Sequence, residues 1–471
     1  MRVLFVSTYD LGHQPLALAA LAGAASAAGH EVRCTDLAVE ELDGRDAAWA
    51  EAAVFSVPMH TALRLALGVV ERLRNGREDL AVALCGLYAP VADGHRVIQA
   101  GDLLVAGEAA APLLSWLERG DPTGLVTELG PVHLPAGAPP LRALLPPLAR
   151  YARLVDGTGR ISVAAGSTAT TTGCNHRCRH CPVAAVYGGR SRVVDAEAVL
   201  ADVAALVDAG AGHVSFADPD FLNRPRHSLA VARAVQAAWP GLTFDATVKV
   251  EHVLRHEELF GELGRLGLRF VVSAFESTDD AVLALLDKGH VQADETEAVR
   301  ILRSSGIETH PSWLPFTPWT THASVAELLR FTAEQDLVWN TDTVQFAIRL
   351  LLPKGSLLLE EPDPVLASSL DGLDPETGSV AWHHADGRLD DLQAAVAGVA
   401  EEAAGAEAGP TEAFAAVWAT CRSHGVPLPP EVPEPVATSP VPGPDRLRLS
   451  EAWFCCAEPT AAQLVSAGAS L

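Results

Sequence analysis

The sequence lacks any uninterrupted run of about 18 apolar residues, the length that a membrane-spanning helix needs. It also lacks a run of Lys and Arg, and its acidic residues outnumber its basic residues by 59 to 34, giving a net charge of −25. We therefore expect no membrane association, no nucleic-acid partner and a cytoplasmic location. The first 30 residues resemble a secretory signal, but Asp10, His13, Gln14 and Pro15 interrupt the apolar stretch and favour a strand, a loop and a helix.

Cysteine is scarce, with eight residues in a chain of 471. This is too few for a secreted scaffold held by disulfides, and the clustering of the cysteines indicates metal or redox use in a reducing compartment. The hydrophobic fraction of 49% supplies two or three domains with cores and excludes a disordered or fibrous protein.

Short β-type runs alternate with Ala- and Leu-rich helical patterns in two series, which predicts an α/β protein with parallel sheets. The first series predicts a Rossmann-like domain over residues 1–120, and the second predicts a (β/α)6 partial TIM barrel over residues 160–355. A Pro- and Gly-rich linker, residues 121–159, separates them. The C-terminal extension, residues 356–471, combines a helical segment with an extended Pro-rich tail. The predicted strands are 3–7, 31–34, 53–58, 81–86 and 103–107 in the first domain, and 160–165, 213–217, 243–248, 268–274, 308–311 and 343–350 in the barrel.

Cys174, Cys178 and Cys181 follow the first predicted barrel strand with C-x3-C-x2-C spacing. Three thiolates at this spacing can hold three irons of a [4Fe–4S] cluster and leave the fourth iron open to a substrate. The alternatives are an electron-transfer cluster or a structural zinc site, for which His176 or His180 could supply a further ligand. Zinc sites usually bring two ligand pairs, and no second pair follows at standard spacing, so the spacing favours the cluster.

This motif, placed after the first strand of a six-strand βα series, resembles the radical S-adenosylmethionine (SAM) superfamily over about residues 162–353. The resemblance implies an enzyme in which the open iron binds SAM and an electron from the cluster cleaves SAM to methionine and a 5′-deoxyadenosyl radical. The radical would abstract hydrogen from an unidentified small molecule or peptide, and an external reductant such as flavodoxin or ferredoxin would supply the electron. His180 departs from the aromatic residue that usually precedes the third cysteine.

The same resemblance implies SAM-binding residues at the ends of other strands. Asp218 and Asp220 follow the second barrel strand, at the place of the family's Gly-Gly-Glu element. Ser273 and Glu276 end the fourth strand, where related enzymes contact the SAM carboxylate and ribose. The alternative for the two aspartates is a turn that caps the next helix. Two further candidates are Lys249 and Arg349, provided that their side chains point toward the pocket, because successive residues of a strand alternate between its two faces.

The first domain resembles the cobalamin-binding domain found in one branch of this superfamily. The resemblance rests on its position, on GLYAP after the fourth strand and on Ala106-Gly-Glu108. Members that bind cobalamin through histidine use D-x-H-x-x-G, whereas Asp10-Leu-Gly-His13-Gln has different spacing. Cobalamin binding without that histidine, and a domain retained for packing, both stay open. Cobalamin is thus a third candidate cofactor, and cobalamin-dependent methyl transfer is an alternative reaction.

Cys455 and Cys456 are adjacent near the end of the chain. Adjacent cysteines form only a strained and easily reduced disulfide, which favours a redox or thiol-transfer role over a stabilising one. The sequence Cys455-Cys456-Ala-Glu-Pro459 resembles the hallmark of the CUAEP/CCAEP-tail radical SAM proteins, in which the second cysteine can be selenocysteine. We therefore predict both residues to be catalytic. Two buried core cysteines are the alternative, and a non-catalytic Fe–S or metalloid sensor is the alternative for the chain.

Overall fold

Strands and helices alternate along most of the chain, as predicted for an α/β protein. The computed structural model describes residues 1–134, 137–158, 162–433 and 446–451. Over these residues no helix is both long enough and apolar enough to cross a bilayer. The strands are β1 (Arg2–Ser7), β2 (Glu31–Asp36), β3 (Ala52–Ser56), β4 (Ala81–Cys85), β5 (Leu103–Gly107), β6 (Gly124–Glu128), β7 (Arg153–Asp156), β8 (Ser162–Thr168), β9 (Thr171–Gly173), β10 (Ser191–Val193), β11 (Ala211–Phe216), β12 (Thr243–Thr247), β13 (Leu268–Glu276), β14 (Glu308–Trp313), β15 (Leu370–Asp374), β16 (Ser379–Trp382) and β17 (Leu447–Leu449).

Polar caps and apolar faces define the helices. Asp195 starts one of them by accepting from the backbone N–H groups of Glu197 and Ala198. The helices are α1 (Leu16–Ala27), α2 (Gly44–Trp49), α3 (His60–Arg74), α4 (Ala110–Arg119), α5 (Pro182–Tyr187), α6 (Ala196–Asp208), α7 (Pro225–Ala238), α8 (Val250–Arg255), α9 (Glu257–Arg265), α10 (Asp280–Leu285), α11 (Gln292–Ser304), α12 (His322–Glu334), α13 (Pro364–Ser369), α14 (Gly387–Gly405) and α15 (Pro410–Ser423).

The amino-terminal part is a parallel sheet with strand order β2-β1-β3-β4-β5-β6 and buried apolar side chains on both faces. Strands that are buried on both faces have continuous apolar sequences, and such runs predicted β1 and β3. The strand order reverses between β1 and β3, so a ligand crevice is expected at the carboxyl ends of these strands. One correction concerns the predicted linker, because its residues 124–128 form the edge strand β6.

The rest of the predicted linker is tied firmly to both sheets. Strand β7 pairs antiparallel with β8. Arg142 is buried and donates to the carboxylate of Asp202 on α6 at 2.6 and 2.8 Å, and to the side chain of Gln14 at 3.2 Å. The segment therefore docks the amino-terminal sheet onto the second sheet.

The second sheet has the order β14-β13-β12-β11-β8-β7-β17, in which β8 and β11 to β14 are parallel. Since β17 pairs antiparallel with β7, it runs in the same direction as β8. His310 Nε2 on β14 lies 3.1 Å from the carbonyl of Leu447 on β17, which brings the two edges together. The sheet is nearly closed, as expected for a partial TIM barrel.

The predicted sixth barrel strand, residues 343–350, is wrong, because Thr343–Ala347 is a 3-10 helix. Its Gln345 side chain accepts from the backbone N–H of Trp313 at 2.8 Å. The side chain of Gln345 thus accepts the hydrogen bond from β14 that the backbone of a sixth strand would otherwise accept. After this 3-10 helix, Arg349 forms an isolated bridge with Phe316.

The C-terminal extension contains the predicted helical segment as two helices, α14 and α15, which pack on each other. The hairpin β15–β16 was not predicted. It contacts the start of helix α3 in the amino-terminal part, where His60 Nε2 lies 3.0 Å from the carbonyl of Thr377. Cys455 and Cys456 lie outside the described residues.

Candidate active site

The cysteine loop lies between β9 and α5, at the carboxyl edge of the second sheet. Gly173, directly before Cys174, has φ 69°, and a Cβ there would lie 2.4 Å from the carbonyl oxygen of Arg190. Only glycine fits this turn. The side chain of Asn223 donates to the carbonyl of Gly173 at 3.2 Å and accepts from the backbone N–H of Asn175 at 2.9 Å. The loop is therefore fixed by backbone contacts on both sides of Cys174.

The three cysteines share one loop and are free thiols. Cys178 is buried, while Cys174 and Cys181 are partly buried. Burial, and then the charge of Asp220, raises the pKa of the Cys174 thiol to about 12. Lys288 is buried, and Cys178 and Cys181 are among the groups that interact with its charge. Thiolates in this loop therefore need a metal to offset their charge, since metal coordination deprotonates a thiol outright.

Asp218 holds the residues that lead into the cysteine loop. Its carboxylate is 1% exposed and accepts four hydrogen bonds of 2.6–2.9 Å from the backbone N–H and hydroxyl groups of Thr170 and Thr171. Burial raises the pKa of Asp218 to about 6, against the opposing effect of these hydrogen bonds. The side chain thus positions the start of β9.

Glu276 ends β13 in an unusual conformation, with φ 69° and a register shift of the strand at this point. A bulge of this kind redirects a side chain, and strain of this kind is common at functional sites. Glu276 Oε1 lies 3.2 Å from both His180 Nε2 and Lys288 Nζ. Burial alone would raise the pKa of Glu276, but Lys288 and His180 outweigh it and hold the value at about 2. An ionised carboxylate and an ammonium group therefore lie beside the cysteine loop.

The other predicted SAM-binding residues differ in their surroundings. Ser273 is fully buried, and its hydroxyl donates to the carbonyl of Val248 at 2.8 Å. Arg349 does not join the group around the cysteines, because its guanidinium donates to Asp390 at 2.5 Å and stacks over Trp382 at 3.7 Å. Arg349 therefore holds α14 against the end of the barrel.

Lys249 and Asp220 belong to a second polar group beside Cys174. Lys249 Nζ lies 3.2 Å from His176 Nδ1 and 3.4 Å from Glu251 Oε2. Asp220 accepts from the backbone N–H of Leu222 at 2.8 Å and faces His252, whose Nδ1 lies 2.9 Å from Asp220 Oδ2. The sequence analysis considered His176 and missed Glu251 and His252. The signal for them was the segment Lys249-Val-Glu-His252 at the end of the third strand.

The amino-terminal sheet reaches the cysteine loop through Glu108, at the carboxyl end of β5. Glu108 Oε1 accepts from the hydroxyl of Thr172 at 2.5 Å and from that of Tyr187 at 3.0 Å. Thr172 precedes the first cysteine and Tyr187 follows the last, so one carboxylate contacts both ends of the loop. His13 is partly buried, and burial lowers the pKa of its ring; Asp245 and His213 of the barrel and Arg142 also influence that pKa.

The family model of the radical SAM superfamily matches residues 168–331. The chain contains a radical SAM domain. Comparison with curated proteins gives no match. The matched residues begin at the end of β8 and end within α12, and they include the cysteine loop and the strand ends described above.

Two solved structures resemble this chain in fold. The cobalamin-dependent SAM radical enzyme OxsB with aqua-cobalamin bound is 13% identical with a TM-score of 0.61, and the match covers 84% of this chain and 66% of that chain. The present chain thus spans slightly less than two thirds of that protein. The radical SAM methyltransferase TsrM from Kitasatospora setae, with cobalamin and a [4Fe–4S] cluster bound, is 18% identical with a TM-score of 0.52, and the match covers 72% of this chain and 74% of that chain.

A radical SAM domain uses a [4Fe–4S] cluster and SAM, and the residues present fit the cluster. The donor set is three thiols on one loop, with the ammonium of Lys288 nearby to offset their charge. For cobalamin the match is weaker, because the loop of the partly buried His13 departs from the D-x-H-x-x-G spacing. His13 is therefore not assigned as a ligand of a corrin.

Proposed function

We propose that this radical SAM enzyme cleaves SAM reductively and applies the resulting radical to a small molecule or a peptide. The observation that carries the proposal is the placement of Cys174, Cys178 and Cys181 on one loop at the carboxyl edge of a nearly closed and mostly parallel sheet. Catalytic groups of barrel enzymes lie at this edge. When bound, the cluster supplies the electron that splits SAM into methionine and a 5′-deoxyadenosyl radical.

The chain's own residues would bind SAM and shield it. Glu276 and Lys288 present opposite charges beside the loop, 3.2 Å apart, and are suited to the polar hydroxyl, amino and carboxylate groups of SAM. Asp218 and Ser273 are committed to protein contacts and would support the loop and the strand ends. The electron would come from an external flavodoxin or ferredoxin.

The test is anaerobic reconstitution of the full chain with iron and sulfide, followed by SAM and dithionite. We expect 5′-deoxyadenosine by mass spectrometry from the wild type and loss of both cluster absorbance and product in Cys178→Ala. Cys421→Ala is the matched control, since Cys421 is buried on α15 within the apolar core. A wild-type cluster that neither binds nor cleaves SAM would contradict the proposal and support the sensor alternative.

Methyl transfer with cobalamin is a second candidate, supported by the amino-terminal sheet. Its edge contacts the cysteine loop through Glu108, so a ligand at the carboxyl ends of β1 to β5 would lie near the SAM site. The test is whether purified protein shows corrinoid absorbance and transfers a methyl group from SAM in the presence of added cobalamin. Protein that cleaves SAM without binding any corrinoid would rule this candidate out.

We further propose a redox or thiol-transfer role for Cys455 and Cys456. Support comes from β17, which runs toward the carboxyl edge of the barrel, and from Glu451, whose side chain packs against Gly12 after β1. The chain therefore leaves β17 close to both sheets. Metabolite profiles of cells producing the wild type, Cys178→Ala and Cys456→Ser test this role. We expect a product that is absent from both variants, whereas a product retained in Cys456→Ser would refute the role.

A further inference from the structure

Three metal-ligating side chains, two of them buried and one partly buried, converge beside the cysteines of the cluster motif. They are His176 on the loop, Asp220 after β11 and His252 on α8. Asp220 Oδ2 lies 2.9 Å from His252 Nδ1 and 3.6 Å from His176 Nε2, and one donor atom of each residue lies within 4.8 Å of the others. These separations suit ligands around one ion with bonds of about 2.0–2.2 Å.

The facing nitrogens are not satisfied by hydrogen bonds. His176 Nε2 and His252 Nδ1 are buried, and neither has a hydrogen-bond partner among the described residues, although Asp220 is close to both. Buried polar atoms left unpaired in this way are costly and rare. Asp220 itself is 1% exposed, and a carboxylate so deeply buried needs a cation. A bound metal ion would satisfy both nitrogens and the carboxylate together.

A second layer of residues orients one of these ligands. Glu251 Oε2 lies 3.5 Å from His176 Nδ1, the ring nitrogen that faces away from Asp220. A carboxylate behind a histidine is the usual support of a metal-bound imidazole, because it holds the proton on the far nitrogen. Lys249 lies 3.2 Å from the same Nδ1 and 3.4 Å from Glu251. If Nδ1 of His176 carries the ring proton and donates it to Glu251, the lone pair of Nε2 is available to a metal. If Lys249 instead donates a hydrogen bond to Nδ1, the proton of the neutral ring lies on Nε2.

We propose that His176, Asp220 and His252 bind one divalent transition-metal ion of the zinc class, separate from the irons of the cluster. Two imidazoles and one carboxylate suit zinc and its neighbours in the first transition series, and three protein ligands leave a coordination position open. The ion would join the cysteine loop to the ends of β11 and β12. The site does not depend on SAM cleavage, and its test reads metal content and coordination.

The test begins with cluster-loaded full-length protein, so that the cysteines are occupied by iron. One equivalent of Zn2+ is added anaerobically, and unbound metal is removed before zinc and iron are measured by mass spectrometry. Zinc K-edge absorption then reports the ligands. We expect one zinc per chain with nitrogen and oxygen neighbours at about 2.0–2.2 Å and no sulfur at about 2.3 Å.

Four variants distinguish the site from adventitious binding. His252→Gln and Asp220→Asn should lose zinc while retaining the iron of the cluster, and Glu251→Gln should weaken zinc affinity by about 10- to 100-fold as a supporting carboxylate does. His256→Gln is the matched control, because this ring contacts His252 but is not among the three ligands. The proposal fails if zinc is not retained by the wild type, if both ligand variants keep it, or if sulfur ligands appear. If one of the two ligand variants loses iron as well as zinc, the zinc content of the other ligand variant decides the test.

Discussion

Glu295 on α11 is a fully buried carboxyl group with a poor partner. Its Oε1 lies 3.2 Å from His290 Nε2, while Oε2 has no hydrogen-bond partner within the described part of the chain. Burial raises the pKa of Glu295 well above its ordinary value, and it lowers that of His290 to about 4. Burial thus favours the uncharged form of both groups, which identifies a pH-dependent weakness in the barrel wall.

Glu295→Gln should stabilise the protein at high pH. Because the pKa of Glu295 is raised on folding, its favourable contribution is complete below the unfolded value of about 4.5 and declines as the pH rises toward the folded value. Glutamine has no such loss, so we expect a gain on the order of 1–3 kcal/mol at pH 8 that shrinks toward pH 5. Urea unfolding at both pH values measures it, and an equal gain at both would contradict the assignment.

For some candidate site residues the signal in the sequence is local. Cys174, Cys178 and Cys181 share one short motif, and the loop that holds them is built from adjacent residues. Asp218 and Asp220 lie two positions apart in one turn, yet one caps β9 and the other faces two imidazoles. Nothing in the sequence separates their roles, because their partners come from distant strands.

At the scale of the element, β17 shows how a short strand can complete a sheet. Leu447 and Leu449 lie on one side of it and pack against the cluster of Leu154, Phe270 and Val272. Arg448 points the other way, 3.9 Å from Asp342 and stacked at 5.4 Å over Trp339. The apolar side of β17 therefore covers residues that would otherwise face an open gap.

Leu449→Ala should lower the free energy of unfolding by about 1–2 kcal/mol, since a partly buried leucine loses less than a fully buried one. Arg448→Ala is the control and should cost below about 1 kcal/mol, as surface ion pairs do. Chemical denaturation of the full chain checks both. Equal effects of the two substitutions would mean that the apolar side of β17 does not support the barrel.

The elements that the sequence failed to predict are those that tertiary contacts decide. β6 lies at a sheet edge within a Pro- and Gly-rich stretch, so its pattern was weak. The predicted strand 343–350 has strand-like residues, but residues 343–347 form a 3-10 helix. Gln345 satisfies the edge of β14, and Gln393 on α14 donates to the carbonyl of Ala347 at 2.9 Å. The prediction that Arg349 points toward the pocket depended on that strand, and Arg349 instead contacts Asp390.

At the scale of the molecule, a buried ion pair holds the segment between the two sheets to helix α6 of the barrel. Arg142 and Asp202 have side chains only 7% and 5% exposed, and Arg142 also donates to the carbonyl of Ser167 at 2.5 Å. A buried pair of this kind specifies one docking arrangement, and removal of one partner leaves the other charge uncompensated. The relative position of the sheets should therefore be sensitive to this single contact.

Asp202→Asn should lower stability by about 3–5 kcal/mol, because Arg142 stays buried without its carboxylate. Limited proteolysis should also cut the segment 137–158 faster in this variant. Glu262→Gln is the control, since the Arg233–Glu262 pair is exposed and should contribute below about 1 kcal/mol. Unchanged proteolysis of Asp202→Asn would show that the pair does not hold the sheets together.

The place of β17 in the barrel has a consequence for biosynthesis. A ribosome makes the chain from its amino terminus, so β7 and β14 are complete long before β17 emerges. Until then Phe270 and Val272 lack the leucines that cover them, and the nascent barrel presents an apolar seam to solvent. We expect a chaperone to engage the nascent chain in the interval between the synthesis of β14 and that of β17.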